Sequence, residues 1–155
     1  MIRMLVMDVD GTLTDGSLYI SKDGECMKAF NTQDGYGIRN ILPEKHIISA
    51  VITGRESDIN VRRFEELQID EVFQNQKDKT QALKVLVDKY GISYEEVAYI
   101  GDDINDLECM KLCGLSACPA DSVDKVKEYA GYICKRGGGA GAVREFIDCL
   151  EDAYE

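Results

Sequence analysis

The sequence predicts an α/β fold: a Rossmann-like parallel sheet flanked by helices, with a β-hairpin inserted after the first strand. Two observations predict it. Short apolar runs rich in β-branched residues alternate along the chain with segments of helical period. Three of those runs end on polar residues, Asp8, Thr53 and Asp102. Ligands of parallel sheets bind beyond the carboxyl ends of the strands, so all three should face one crevice. With 155 residues, nearly half of them apolar, the chain suits a single domain over 1–155 with a sizeable core.

The elements follow in order. "IRMLVMD" reads as a short buried strand. "SLYIS" and "ECMKAFN" read as a hairpin joined at Lys22-Asp23-Gly24, Asp-Gly being a hairpin-turn signal. "DGYGIRNIL" reads as a short helix that stops near Pro43, and "IISAVIT" as a second strand. In "SDINVRRFEELQ", Ile59, Phe64 and Leu67 lie near one helical face, with Ser57 and Asp58 as possible caps. "EVFQ" is a third strand. "DKTQALKVLVDKYG" is a helix that buries Ala82, Leu83, Leu86 and Val87 and closes at Gly91. "VAYIGD" is a fourth strand and "NDLECMKLCG" a helix stopped by Gly114. "LSACP", "DSVDKVKEYA" and "GYIC" read as strand, helix and strand. The Gly-rich "KRGGGAG" precedes a last helix, "AVREFIDCLEDAY".

Composition narrows the function classes. A formal net charge of −11 argues against a nucleic-acid partner or an anionic membrane surface, which need clustered Lys and Arg. A small anionic substrate stays open, because a metal ion inverts the local field. No apolar stretch approaches the roughly 20 residues of a membrane span. The opening "MIRMLVMDVD" reaches two aspartates too soon for a signal peptide, so the expected location is the cytoplasm. Six cysteines fit no zinc pattern and read as buried, reduced thiols. The single histidine, His46, falls in a loop before a strand and reads as a surface residue.

The chemistry concentrates in "VMDVDGTLTDG", residues 6–16. Asp8 ends a buried strand, Asp10 follows two residues on, and Gly11 permits a tight turn. Two carboxylates so close do not both stay ionised without a neutralising partner. Mg²⁺, a hard cation that prefers oxygen ligands, is one solution. Asp102, reaching over from another strand end, would complete the acidic cluster. Thr53 offers a hydroxyl, and Lys79 a point charge, to the oxygens of a phosphoryl group. One carboxylate of the pair can attack phosphorus and the other can protonate the leaving alcohol. Each residue alone is weak evidence; Lys79 by itself reads as a surface lysine and "GDDIND" as a helix N-terminus. The conjunction of four sets, each at a strand end or opening the next helix, carries the argument.

These four stretches resemble the motifs of the haloacid dehalogenase superfamily of phosphatases: "DVDGTLTDG", "ITGR", the lysine of "KDKTQA", and "GDDIND". The resemblance implies Asp8 as nucleophile, Asp10 as general acid/base, and Thr53 and Lys79 as stabilisers of phosphate and aspartyl-phosphate. It implies Mg²⁺ on the Asp8 carboxylate, the Asp10 backbone carbonyl and Asp102. Gly54, Asp103 and Asp106 look like support. The hairpin, "KAFNTQDGYGI", the arginine of "TGR" and "GGGAGAVREF" are similar to the subgroup without a cap domain, which acts on octulosonate 8-phosphates and nonulosonate 9-phosphates. That likeness implies sugar-acid contacts from Asn31, Thr32, Asp34, Arg55, Arg62 and Arg63. Arg55 looks more like the octulosonate enzymes. The implied activity is a Mg²⁺-dependent phosphomonoesterase for 3-deoxy-D-manno-octulosonate 8-phosphate. The alternatives are a nonulosonate 9-phosphate substrate, or an idle partner domain of a cytidylyltransferase. Two departures stand out: Ala140 where the late Gly-rich motif often carries Arg, and a chain that stops soon after its last helix.

A signalling receiver domain is the rival from another class, but Lys79 preceding Asp102 is the wrong order for it. "DKT" at 78–80 opens a helix and reads as an N-terminal helix charge at Asp78. The hairpin raises one further expectation. Leu18 and Ile20 alternate on one face and Met27 and Ala29 follow on the partner strand, an apolar set that a lone ribbon would expose. Packing hairpins from several subunits would bury them, and the family resemblance points to a homotetramer. The alternative is a hairpin folded back on its own domain.

Overall fold

A computed structural model describes residues 1–152. The strands are β1 (Met4–Met7), β2 (Tyr19–Ser21), β3 (Gly24–Met27), β4 (Ile48–Ile52), β5 (Glu71–Phe73), β6 (Val97–Ile100), β7 (Leu115–Cys118) and β8 (Tyr132–Ile133). The helices are α1 (Thr32–Tyr36), α2 (Leu42–Glu44), α3 (Asp58–Leu67), α4 (Lys79–Tyr90), α5 (Leu107–Leu112), α6 (Asp124–Tyr129) and α7 (Ala142–Asp152). Six strands form one sheet in the order β5-β4-β1-β6-β7-β8, and every pairing is parallel. β2 and β3 form a separate antiparallel hairpin. No described helix is long and apolar enough to cross a membrane.

Helices on both faces explain why the strands read as unbroken apolar runs. Successive side chains point to opposite faces. Leu5, Met7, Val51 and Ile100 pack with Ile38, Phe64, Val143 and Phe146 on one side. Met4, Val6, Ile52 and Tyr99 pack with Leu83, Leu86 and Met110 on the other. β1, wholly buried, lies between β4 and β6. The loops after these three strands therefore converge at one edge of the sheet, where the chain order reverses.

Several local expectations shift. The helix expected over 34–42 begins earlier, at Thr32, where the Asn31 side chain accepts from the Gln33 and Asp34 N–H groups. It continues through a π-helical turn, Gly37–Ile41, into α2, so Pro43 lies inside the helical run. In that wider turn Leu42 N–H bonds to Gly37 O. Proline brings no N–H of its own, and the altered bonding there accommodates it. Ser57 does not cap α3 with its side chain; its hydroxyl donates to Glu25 Oε1 at 2.6 Å. In the hairpin, a register shift between Tyr19 and Ile20 sets Tyr19 opposite Met27 and Ile20 opposite Glu25. Tyr19, rather than Ile20, therefore joins Met27. All six cysteines are free, but Cys26 is exposed on the hairpin rather than buried. The last two residues of the expected final helix, Ala153 and Tyr154, lie outside the described residues.

The Gly-rich stretch before α7 locks onto the loop after β1. A Cβ on Gly138 would lie 2.0 Å from Gly11 O, a backbone contact that only glycine permits. Gly138 N–H donates to Asp121 Oδ1 at 2.9 Å and Gly139 N–H to Thr12 O at 3.2 Å.

Asp34 ties α1 to α7. It is buried, and its Oδ1 accepts from Arg144 N–H at 2.9 Å in the first turn of α7. Burial pushes its carboxyl up to about 6, against the pull of that hydrogen bond and of Arg136, Arg144 and Arg63. The unfolded chain therefore gives up this proton first. Stability falls as pH climbs from about 4 to about 6 and stays lower above, by at most roughly 3 kcal/mol. Asp34→Asn should remove this slope, so that urea unfolding at pH 7 favours the variant relative to its standing at pH 4. A difference between the two proteins that does not change with pH would contradict this.

Candidate active site

The site begins with the loop after β1. Thr12, Leu13 and Thr14 all direct their N–H groups at Val9 O, at 2.9–3.1 Å. Gly11 sits at φ +90, and a Cβ there would lie 1.9 Å from Asp102 Oδ2. Glycine at 11 thus allows both the left-handed turn and the approach of Asp102. Thr12 Oγ1 donates to Asp102 Oδ1 at 3.3 Å and holds that carboxylate in the crevice.

Asp8, buried, follows β1 and donates its N–H to Ile100 O at 3.0 Å. Lys79, buried at the first position of α4, donates to Asp8 Oδ1 at 2.7 Å and to Asp106 Oδ1 at 2.8 Å. Asp106 is also fully buried. Its Oδ1 accepts from the Tyr99 hydroxyl at 2.7 Å, and its Oδ2 from the N–H groups of Asp102 and Asp103 at 3.0 and 3.2 Å. Four donors occupy the acceptor sites of that one carboxylate.

The electrostatics follow from this packing. Burial, then the charge of Asp106, pushes the Asp8 carboxyl well above the usual carboxylate range, and Lys79 only partly opposes the shift. Burial likewise raises Asp102, which shares a hydrogen bond with Asp8. Burial works against the charge of Lys79, but Asp8 and Asp106 outweigh it and hold the ammonium above its ordinary range.

Carboxylate oxygens of Asp8, Asp102 and Asp106 lie within 4.8 Å of one another. Asp106 is fully engaged by Lys79, Tyr99 and two backbone N–H groups. Asp8 and Asp102 are thus the two of this cluster with acceptor capacity for a cation. Buried carboxylates crowded together and short of counter-charge are the donor set a hard divalent ion suits.

The adjoining cleft, about 170 Å³, is lined by Asp8, Asp10, Thr53, Gly54, Arg55, Asp103 and Asn105. Thr53, buried just past β4, is fixed by its N–H to Phe73 O at 2.9 Å. Asp10 Oδ1 accepts from Lys28 Nζ at 2.9 Å, while its Oδ2 is buried without a hydrogen bond. Arg55 Nε lies 4.0 Å from that Oδ2. A larger cavity, about 400 Å³, lies between α3 and β5 and includes Val61, Phe64, Ile69 and Val72. It holds no acidic cluster and is the poorer candidate for phosphoryl chemistry.

Of the expected sugar-acid contacts, Arg55 lines the cleft of its own chain. Asn31 caps α1, Thr32 opens it, and Asp34 bonds to α7. Arg62 is an exposed residue of α3, and Arg63 lies over the Phe30 ring at 5.8 Å. None of these five lines that cleft. Asp103 caps the short 3₁₀ turn Ile104–Asp106. Asp78 caps α4 through Thr80, as a helix charge should.

Sequence reasoning assigned no role to Tyr99, Glu25 or Lys28. Tyr99 read as one more apolar strand position. Glu25 lies on β3 and Lys28 just past it, in a hairpin whose sequence gives no sign that it folds back to the site.

The comparisons with known proteins agree with this geometry. The chain matches the haloacid dehalogenase-like hydrolase family over residues 44–147. It is 44% identical over 149 residues to 3-deoxy-D-manno-octulosonate 8-phosphate phosphatase KdsC of Salmonella typhi, covering 96% of this chain and 79% of that protein. Its fold superposes with a TM-score of 0.95 on the crystal structure of 3-deoxy-D-manno-octulosonate 8-phosphate phosphatase from Yersinia pestis, at 42% identity, covering 98% of this chain and 82% of that one. The corresponding enzyme from Moraxella catarrhalis, in complex with magnesium, phosphate and KDO, gives a TM-score of 0.90 at 36% identity, covering 99% and 94%. A family match over most of the chain, on a parallel sheet whose strand ends gather these carboxylates around one lysine, places this protein among the haloacid dehalogenase-like hydrolases.

Proposed function

We propose that this protein is a phosphoric monoester hydrolase that removes the terminal phosphate of 3-deoxy-D-manno-octulosonate 8-phosphate with Mg²⁺ as cofactor. The single observation that carries the reading is the buried Asp8–Lys79–Asp106 arrangement with Asp102 alongside. The 44% identity to KdsC proteins supports the substrate. Residues 1–155 then act as one catalytic domain.

Asp8 is the nucleophile. One of its oxygens is engaged by Lys79 at 2.7 Å, which fixes the carboxylate against rotation. It attacks phosphorus and forms an aspartyl-phosphate as the ester P–O bond breaks. Asp10 donates its proton to the departing sugar oxygen, then takes one from the water that cleaves the acyl-phosphate. Lys79 and the Thr53 hydroxyl stabilise the charge on the transferring group. Asp8, Asp102 and the Asp10 carbonyl would hold Mg²⁺, which would supply counter-charge for a phosphate beside the acidic cluster. Gly54 keeps the phosphate end of the cleft open, while Asp103 and Asp106 set the loop and Lys79. Arg55 reaches the sugar-acid carboxylate.

The hairpin supports an oligomeric reading. Leu18, Tyr19, Ile20 and Met27 are all exposed, with Ile20 at 61%. A two-stranded ribbon carrying such a face is marginal alone. We take the assembly to be a homotetramer in which a neighbour's residues, among them Asn31, Thr32, Arg62 and Arg63, wall the sugar end of each site, whereas Asp34, buried against α7, does not reach it. The location is the cytoplasm, where six unpaired cysteines are at home.

Asp8→Asn should fold normally yet lose at least about a thousandfold in turnover, roughly 4 kcal/mol of barrier. Steady-state assays of variant and parent check this, and a loss within tenfold removes Asp8 as nucleophile. Chelation should abolish activity and Mg²⁺ restore it, with Ca²⁺ a poor substitute because it takes more ligands at longer distances. Full activity after exhaustive chelation would refute the metal. Leu18→Asp with Ile20→Asp should give smaller folded species by light scattering, and sugar-acid turnover should suffer more than aryl-phosphate turnover. A wild-type monomer with full sugar-acid activity would end the tetramer reading.

A further inference from the structure

We propose that Lys28, just past β3 of the inserted hairpin, is the positioning residue for Asp10, and that it divides the work between the two Asp10 oxygens. This rests on the phosphatase reading above. No part of the Lys28 side chain is exposed. Its ammonium donates to Asp10 Oδ1 at 2.9 Å and lies 3.7 Å from Glu25 Oε2. Glu25 is fastened in turn: its Oε1 accepts from Ser57 Oγ at 2.6 Å, and Arg55 NH2 lies 3.5 Å from Oε2. A lysine buried to this degree is rare unless its charge is paired. Here both of its carboxylate neighbours are supplied, one by the hairpin and one by the catalytic loop.

The consequence is asymmetric. Oδ1 is engaged by a donor, which leaves Oδ2 as the oxygen free to face the leaving group. That oxygen is buried and has no hydrogen-bond partner, Arg55 Nε lies 4.0 Å away, and Asp10 lines the cleft. Oδ2 is therefore the atom that meets the leaving oxygen. As the ester P–O bond breaks, its electron pair stays on the sugar oxygen and the Oδ2 proton passes to it. Lys28 takes no part in the proton transfer itself. Its role is to stop Asp10 from rotating, and the cluster around Glu25 makes that depend on the hairpin being seated. The hairpin is thus part of the acid catalyst and not solely an interface element.

Proton donation matters for an alkoxide leaving group and little for p-nitrophenolate, which separates positioning from folding. General acid catalysis is worth about 10²- to 10⁴-fold. With saturating Mg²⁺, Lys28→Met should lower kcat on octulosonate 8-phosphate by about 30- to 100-fold and on p-nitrophenyl phosphate by less than about fivefold. Lys28→Arg should recover much of the alkyl-phosphate rate, and ethylammonium should partly rescue Lys28→Ala on that substrate. Glu25→Gln should show the same selectivity more weakly, and it stands in should Lys28→Met fail to fold by circular dichroism. Equal losses on the two substrates, or no loss, in folded variants would overturn the positioning role and leave the phosphatase reading intact. A wild-type chain that hydrolyses neither ester would overturn both.

Discussion

One buried ammonium organises this molecule. Lys79 lies between Asp8 and Asp106 with almost no exposure, and removing its ammonium would leave two carboxylates unpaired in the interior. The ion triad joins three segments far apart in sequence: the end of β1, the start of α4 and the turn after β6. Asp106 extends the constraint through Tyr99 and the N–H groups of Asp102 and Asp103, so Asp102 is aimed by the same cluster. The geometry is set before any ligand arrives, and such preorganisation makes buried dipoles and charges effective in a transition state. Three acidic groups share one ammonium here. Burial first and then this imbalance raise Asp8 and Asp102, and the imbalance suits the cluster to a hard cation.

Much of this was legible in the sequence because it follows from period and position. Apolar runs such as "VAYI" announce strands buried on both faces, and polar residues at their carboxyl ends announce the crevice. Asp8, Thr53 and Asp102 could be placed near one another on that basis alone, and Lys79, which by itself reads as a surface lysine, joined them through the conjunction of motifs. What stayed hidden depends on tertiary contacts that no local pattern encodes. Tyr99 looks like a core residue, and its hydroxyl finds Asp106 only once β6 and the following turn are folded together. Ser57 carries every mark of a helix cap, yet Glu25, thirty-two residues earlier, captures its hydroxyl. Pro43 looked like a stop, but the π-helical turn before it absorbs the missing donor.

The hairpin shows why its two readings were hard to separate. One set of side chains, Glu25 and Lys28, turns inward to Asp10, Arg55 and Ser57 of the same chain. Another, Leu18, Tyr19, Ile20 and Met27, is exposed. The bulge between Tyr19 and Ile20 breaks the simple alternation that would let one pattern predict both. The polar set seats the ribbon on its own domain, and the apolar set leaves it unfinished.

The place of β1 in the sheet bears on how the chain reaches its fold. Its residues pair with two strands that come much later: Met4 lies opposite Ile48 in β4 and opposite Val97 in β6. The stretch "MLVM" therefore waits, apolar and unpaired, until both neighbours and the helices that cover them have been made. Parallel pairings of such separation carry a large loop-closure cost before they return any contact energy. Folding should be slow for a chain of this length. The turn that carries Asp8 hangs from that strand. Pairing of β1 with β4 and β6 thus also brings Asp8 beside Thr53 and Asp102, and a chain without those pairings would lack the candidate site.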